Sequence, residues 1–395
     1  MSGQDGDLYA KLGVDSGKEG VRATFSGAID NDFPGAWVPI KRCPWHPGEV
    51  FTHHIDGDGS KGLQRLLMYE LTGDSAIIMG IGDDGISMNT GDATAAGFDK
   101  LQTWVDVLNT NKYRVPYKAL VLDCIKQRFC ELRALYQQYG FQIYWMGGET
   151  ADLPHQVQTQ TFDVAVDARA LESDIVRGNV QPGDHIWGFS STGQAVWETA
   201  PNSGLMSNGL TLGRVCLMHT DYNKQFPHLF LPGGEFTGRF YINDTPRSLR
   251  GMTVGEALAS PTRQWAILMR ILMEKLKAAG AFDLLHGISM NTGGGVTKVG
   301  HLGTGGILYQ KAMPPVPPIF RLIQSESGQP WQYMYSSFNC GVGLDIVGDP
   351  ALLPYLVAVS AETGVALFDL GSCTVHTDPT KNAVLLATEG ESFMY

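Results

Sequence analysis

The sequence predicts an α+β or α/β protein of two domains, on three observations. Segments of strand character and of helical character intermix in both halves of the 395-residue chain. A turn-rich run, "RGNVQPGDHIWGFS" (177–190), separates the halves, with a fresh strand expected at His185–Ser190. No unit of about 20–50 residues recurs, which excludes a solenoid. The expected division is residues 1–180 and residues 181–395.

The elements follow in order. Pro34, Pro39, Pro44 and Pro47 break any long element before residue 50. "EVFTHHIDGDG" (49–59) reads as a strand running into a Gly-rich loop. "LQRLLMYELTGD" (63–74) has helical apolar spacing, with Gly73 as its stop. "SAIIMGIGDDGISMN" (75–89) is ambiguous by periodicity, a helix being one reading. Residues 117–140 form the clearest helix, because Leu122, Ile125, Phe129, Leu132 and Tyr136 recur at three- and four-residue steps before Gly140. "FQIYWM" (141–146) reads as a short buried strand ending in Gly147-Gly148-Glu149-Thr150. "TFDVAVDARAL" (161–171) alternates as a strand does. One helix is expected over 255–279, followed by "LLHGISMNTGGGVTKVG". "MPPVPP" (313–318) is a stiff extended segment.

Composition narrows the function classes. Hydrophobic content of 43% and charged content of 17% are globular values. A net charge of −11 argues against general nucleic-acid binding, which needs a basic face, but leaves room for a small anionic ligand held by local donors. The six cysteines form no C-x-x-C pair, so reduced, mostly buried thiols are expected. "MSGQDGDLYAKLG" has neither a basic nor an apolar leader region, and no stretch reaches the ~18 apolar residues of a membrane span. The expectation is a cytoplasmic protein with no membrane partner.

Several short stretches carry chemistry. "HHIDGDGSKG" (53–62) begins like a calcium loop at Asp56 and Asp58, but the sixth and twelfth positions hold Lys61 and Leu67, so that reading fails. The phosphate-loop pattern G-x-x-x-x-G-K-[ST] is absent. His53, His54 and Asp56 as a hydrolase metal site lack a second cluster at ligand spacing. What remains is a Gly-rich loop whose N–H groups and Lys61 face phosphate, with Asp56 facing a metal. "GIGDDGISMNTGDATAAG" (80–97) holds Asp83, Asp84 and Asp92; Asp84 and Asp92 lie eight apart, spacing that can share a helical face. Mg²⁺ takes a few carboxylates plus phosphate oxygens, and Asp56, Asp84, Asp92 and Glu149 would supply them if the fold gathers them.

The order of these blocks is more specific than any one of them. D-G-x-G-[ST]-K, an Asp pair eight apart, G-G-E-T, S-N-G (207–209), P-T-R (261–263), T-G-G-G (292–295) and F-N-C-G-V-G (338–343) follow one another. In this the chain resembles the aminoimidazole ribonucleotide synthetase (phosphoribosylformylglycinamidine cyclo-ligase) family, from "YAKLGVDSGKEGV" (9–21) to about residue 371. The resemblance implies an N-terminal ATP-binding domain whose sheet pairs with its copy in a homodimer, a C-terminal α/β domain, and an active site between them. It implies ATP and Mg²⁺ at Asp56, Gly57, Gly59, Ser60, Lys61, Gly147, Gly148, Glu149 and Thr150, with Asp84 and Asp92 as further metal ligands. Ser207, Asn208, Gly209, Thr292, Gly293 and Gly294 would face the substrate phosphate and the reacting amide. The implied reaction is ATP-driven ring closure of a small nucleotide, with Lys61, Asp84 and His286 as catalytic candidates.

The chain departs from the family pattern at identifiable positions. The pattern H-x-x-x-H-x-T-G-G would place a second histidine at position 290, which is Met290 here. Met206 stands where many members have histidine, Gly91 replaces an asparagine, and residues 222–250 are longer than the compact pattern. Methionine cannot transfer a proton, so either His286 or another group takes that role, or the enzyme is slow on the standard substrate; the alternative is that position 290 only packs.

Overall fold

The computed structural model describes residues 12–13, 24–25, 27–207, 209–230, 233–388 and 390–395. Most of the block at 9–21, and Asn208, lie outside the described residues.

Two sheets organise the chain. The first contains β1 (Lys41–Arg42), β2 (Glu49–Gly57), β3 (Leu101–Thr110), β4 (Tyr144–Asp152) and β5 (Gln160–Leu171), in the order β1-β2-β5-β3-β4. Three of its pairings are antiparallel; β3 and β4 run parallel. Its helices are α1 (Lys61–Thr72), α2 (Ala76–Ala95) and α3 (Lys118–Gln138). After β6 (His185–Ser190) come α4 (Leu210–Leu217), α5 (Tyr222–Gln225), α6 (Val254–Ala259) and α7 (Trp265–Ala278). The remaining elements are β7 (Leu285–Met290), β8 (Ile307–Ala312), α8 (Pro318–Ser327), α9 (Trp331–Ser337), β9 (Val342–Gly348), α10 (Leu353–Thr363), β10 (Leu367–Val375), β11 (Ala383–Thr388) and β12 (Glu391–Met394). The second sheet has the order β12-β11-β8-β10-β6-β9-β7, with β8 and β11 its parallel neighbours.

Helix α2 is the element shared by both sheets. It packs on β2 and β5 of the first and on β7 of the second, as well as on α1, α3 and α7. Its sequence explains the ambiguous periodicity: small and apolar residues occur on every face, which suits a helix buried all round. A Cβ at Gly85 would meet the Phe162 ring and Val164 of β5, so the glycine sets how closely the helix lies on the sheet.

Two expectations need correction. Gly147-Gly148-Glu149-Thr150 does not follow a strand but lies inside β4, which continues to Asp152 because Gly148, Glu149 and Thr150 pair with Asp106, Val107 and Leu108 of β3. Gly147 takes a left-handed φ of 86° where the β3–β4 register shifts, a conformation that favours glycine. The single helix expected over 255–279 is two, α6 and α7, parted at Ser260–Gln264, where Pro261 disfavours helical backbone before it and removes a donor.

Candidate functional site

The Gly-rich loop leaves β2 at Gly57 and enters α1 at Lys61. Gly57 N donates to Asp56 Oδ1 at 2.8 Å. Gly59 has φ 60°, and a Cβ there would stand 3.3 Å from the Ser207 carbonyl oxygen, so the loop touches the S-N-G segment directly. Ser60 Oγ accepts from Thr211 Oγ1 at 2.8 Å. The F-N-C-G-V-G block supports the same segment from behind. The Phe338 ring lies where a Cβ on Gly209 would stand, and Asn339 Nδ2 donates to Gly204 O at 2.8 Å. The three sequence blocks therefore meet because each leaves backbone bare where another must approach.

Lys61 turns into the interior of the protein. Its side chain is fully buried, and Nζ donates to Leu205 O at 2.9 Å and Ser260 O at 2.5 Å, with Asp84 Oδ1 at 3.3 Å. Burial pulls its pKa down to about 8, against the attraction of Asp84. Asp84 is fully buried as well. Oδ1 also accepts from Thr262 N at 2.8 Å and Thr262 Oγ1 at 2.7 Å, and Oδ2 accepts from Arg65 Nη2 at 2.7 Å. Burial alone would raise the Asp84 pKa, but Lys61 and Arg65 beside it hold it below the usual carboxylate value. Asp83 turns the other way, to Arg128 at 2.8 and 2.9 Å.

Asp92, eight residues along α2 from Asp84, belongs to a second group. Trp37 Nε1 donates to its Oδ1 at 2.7 Å, and His54 Nε2 lies 3.3 Å from Oδ2. His54 Nδ1 is 3.1 Å from Asn89 Oδ1, while Asn89 Nδ2 donates to Asp56 O at 3.0 Å. The Lys298 ammonium lies 4.7 Å over the Trp37 ring and donates to Thr292 Oγ1 at 2.7 Å. This chain of contacts runs from the Gly-rich loop to the T-G-G-G loop, where Gly293 and Gly294 follow Thr292.

The other candidates stand apart. Glu149 is exposed on β4, with Oε1 accepting from Thr150 N at 2.8 Å. His286 is at the second position of β7, about 13 Å along the strand from Met290, and its Nδ1 is 2.8 Å from Asp184 Oδ2. Neither joins the loops above. Among the described residues, no three or more His, Cys, Asp or Glu side chains stand close enough to hold one metal ion. Both oxygens of Asp84 are already occupied by Lys61, Arg65 and Thr262. Sequence reasoning gave no role to Arg65, Trp37 and Lys298, and named Thr262 only as part of the P-T-R block; Lys298 lies beside the T-G-G-G motif.

No family model matches the sequence. It is 30% identical over 300 residues to a phosphoribosylformylglycinamidine cyclo-ligase of Anaeromyxobacter sp. (strain Fw109-5), covering 75% of this chain and 74% of that one. It is 24% identical over 311 residues to the enzyme of that name from Limosilactobacillus reuteri (strain DSM 20016), covering 77% of each. Solved structures share the fold. The complex of AaThiL with AMPPCP and TMP has a TM-score of 0.55 at 11% identity, with 95% of this chain and 94% of that one covered. The hydrogenase maturation protein HypE in complex with ATP has a TM-score of 0.51 at 14% identity, with 97% and 96% covered. Among the described residues no helix is long and apolar enough to cross a membrane. The identity and coverage of the Anaeromyxobacter relative, over a two-sheet α+β fold, place this chain in the phosphoribosylformylglycinamidine cyclo-ligase family as a divergent member.

Proposed function

We propose that the chain catalyses ATP-dependent closure of formylglycinamidine ribonucleotide to aminoimidazole ribonucleotide, releasing ADP and phosphate. ATP phosphorylates the formyl oxygen, the amidine nitrogen attacks the activated carbon, and phosphate departs with that oxygen. The observation that carries this reading is the approach of Gly59 to Ser207, which sets the Gly-rich loop against the S-N-G segment. The N–H groups of Gly57, Asp58 and Lys61 already donate within the protein, and those of Gly59 and Ser60, ahead of α1, suit an anionic phosphate. Ser207 Oγ, Thr292 Oγ1 and Lys298 Nζ are the proposed donors toward the substrate. Apposition of the two loops would hold the reacting atoms together, which is the main contribution a protein makes to such a transfer.

Mg²⁺ belongs to the proposal as the counter-ion that arrives with the polyphosphate, since this ion is commonly held by one or two carboxylates plus phosphate oxygens. Asp56 and Asp92, linked through Asn89 and His54, are its proposed ligands in this chain. The enzyme is proposed to be cytoplasmic and homodimeric, the exposed face of the first sheet covering its copy.

An ATP-dependent kinase or dehydratase on the same fold is the second reading. It is favoured by Met290, which is fully buried where the family pattern has histidine. Incubation with ATP and formylglycinamidine ribonucleotide, followed by mass analysis and proton NMR of the product, separates the two. Ring closure and open-chain dehydration both give a product lighter than the substrate by one water and are told apart by the imidazole C–H signals, a kinase gives one heavier by a phosphoryl group, and an unchanged substrate mass rejects both for this compound.

A further inference from the structure

Lys61 joins parts of the chain that are distant in sequence. Its ammonium bonds the carbonyl of Leu205, two residues before Ser207, and that of Ser260, two residues before Thr262. Thr262 returns to Asp84 through its N–H and its hydroxyl, and the hydroxyl lies 3.4 Å from Ser207 Oγ. Arg65 holds the other oxygen of Asp84 through Nε at 3.3 Å and Nη2 at 2.7 Å. An ammonium has three donors, and all three are directed to these partners. Neither Lys61 nor Asp84 has capacity left for a phosphate or a metal ion.

We infer that Lys61 and Asp84 are positioning residues: an internal lock that fixes the Leu205–Ser207 and Ser260–Thr262 segments against the Gly-rich loop, and so sets where Ser207 faces the substrate. This rests on the proposed reading of the cleft. Breaking the lock at Lys61 leaves Asp84 paired with Arg65, so no buried charge is stranded. The two released carbonyls lose their fixed position rather than the fold losing its core.

The test uses the full chain with Lys61→Met and, separately, Thr262→Val. Each is read by calorimetric binding of AMPPCP, by peptide-level amide exchange, and by kcat/KM. The lock predicts faster exchange across residues 203–207 and 258–262 in both variants, because local opening becomes easier. It predicts AMPPCP affinity within about threefold of wild type and kcat/KM lowered about tenfold or more. A fall in AMPPCP affinity of about tenfold with unchanged exchange would instead make Lys61 a phosphate ligand and overturn the inference. Unchanged exchange in both variants also overturns it. If Lys61→Met does not fold, Thr262→Val decides. If formylglycinamidine ribonucleotide is not turned over, the functional reading fails, while exchange and AMPPCP binding still decide the lock.

Discussion

Met290 on β7 fills the space that a side chain on Gly91 of α2 would need. The atoms nearest to a Cβ at position 91 are Sδ and Cε of Met290, and Met290 is fully buried. Two of the departures from the family pattern, the missing asparagine at 91 and the missing histidine at 290, are therefore one contact. A large residue on the strand occupies room given up on the helix.

Gly91→Ala is expected to destabilise the protein by about 1–3 kcal/mol through overpacking, despite a helix-propensity gain of about 1 kcal/mol. In a Met290→Ala background the same substitution becomes stabilising, because the obstacle is gone. Denaturant unfolding of the four proteins measures both signs, and the same sign in both backgrounds would remove the contact from the account. Met290→His alone is expected to lower stability by about 1–3 kcal/mol by burying an unpaired polar ring, without raising turnover.

The first sheet presents an apolar row to solvent. Ile55 and Val105 both pair with Ala165 of β5, and they are 67% and 41% exposed, while Tyr144 and Met146 on β4 are 50% and 65% exposed. Such a face and an open edge strand are liabilities unless covered. Sedimentation at micromolar concentration is expected to give a dimer near twice 43.0 kDa, and Val105→Arg a monomer. A wild-type monomer would reject the pairing.

Lys311 and Asp345 form an ion pair at 2.6 Å with both side chains fully buried beneath the segment after the T-G-G-G loop, where Lys311 also donates to Val296 O at 2.8 Å. Burial lowers the Lys311 pKa and raises that of Asp345, each against the pull of the other. Lys311→Met strands a buried carboxylate and is expected to cost about 3–5 kcal/mol, whereas replacing both partners by apolar residues should recover much of it. Unfolding of the single and double variants checks this.

His286 is held above its usual pKa by its hydrogen bond to Asp184, against the opposing effect of burial. A raised folded-state pKa means that folding takes up a proton. The stabilisation from this pair is complete below the unfolded value of about 6.5 and disappears as pH rises through the folded value. The difference in Tm between wild type and His286→Phe should accordingly be largest in mild acid and shrink toward alkaline pH. A difference independent of pH would mean that the ring contributes by packing alone.

Much of the fold was legible, for local reasons. Gly73 and Gly140 stop helices by taking left-handed backbone, and alternation over 161–171 marks β5 because one face of that strand is buried. The nature of 75–89 was not legible. A helix buried on all sides loses the polar face that periodicity detects. The split at Ser260–Gln264 was marked by Pro261 and overruled by the apolar pattern on either side. The continuation of β4 through two glycines depends on pairing with β3, which no local window contains.

The sequence alone determined the order of the Gly-rich, S-N-G, T-G-G-G and F-N-C-G-V-G blocks, and with it the family resemblance. Their residue types also marked where backbone must lie bare. Only the tertiary structure decided what Lys61 and Asp84 do, because that depends on carbonyls 144 and 199 residues away from Lys61 and on a hydroxyl 178 residues from Asp84. A lysine and an aspartate in a Gly-rich setting look the same in sequence whether they meet a ligand or each other. Burial separates the two cases: once both side chains are shut off from water, their charges must be satisfied inside the protein.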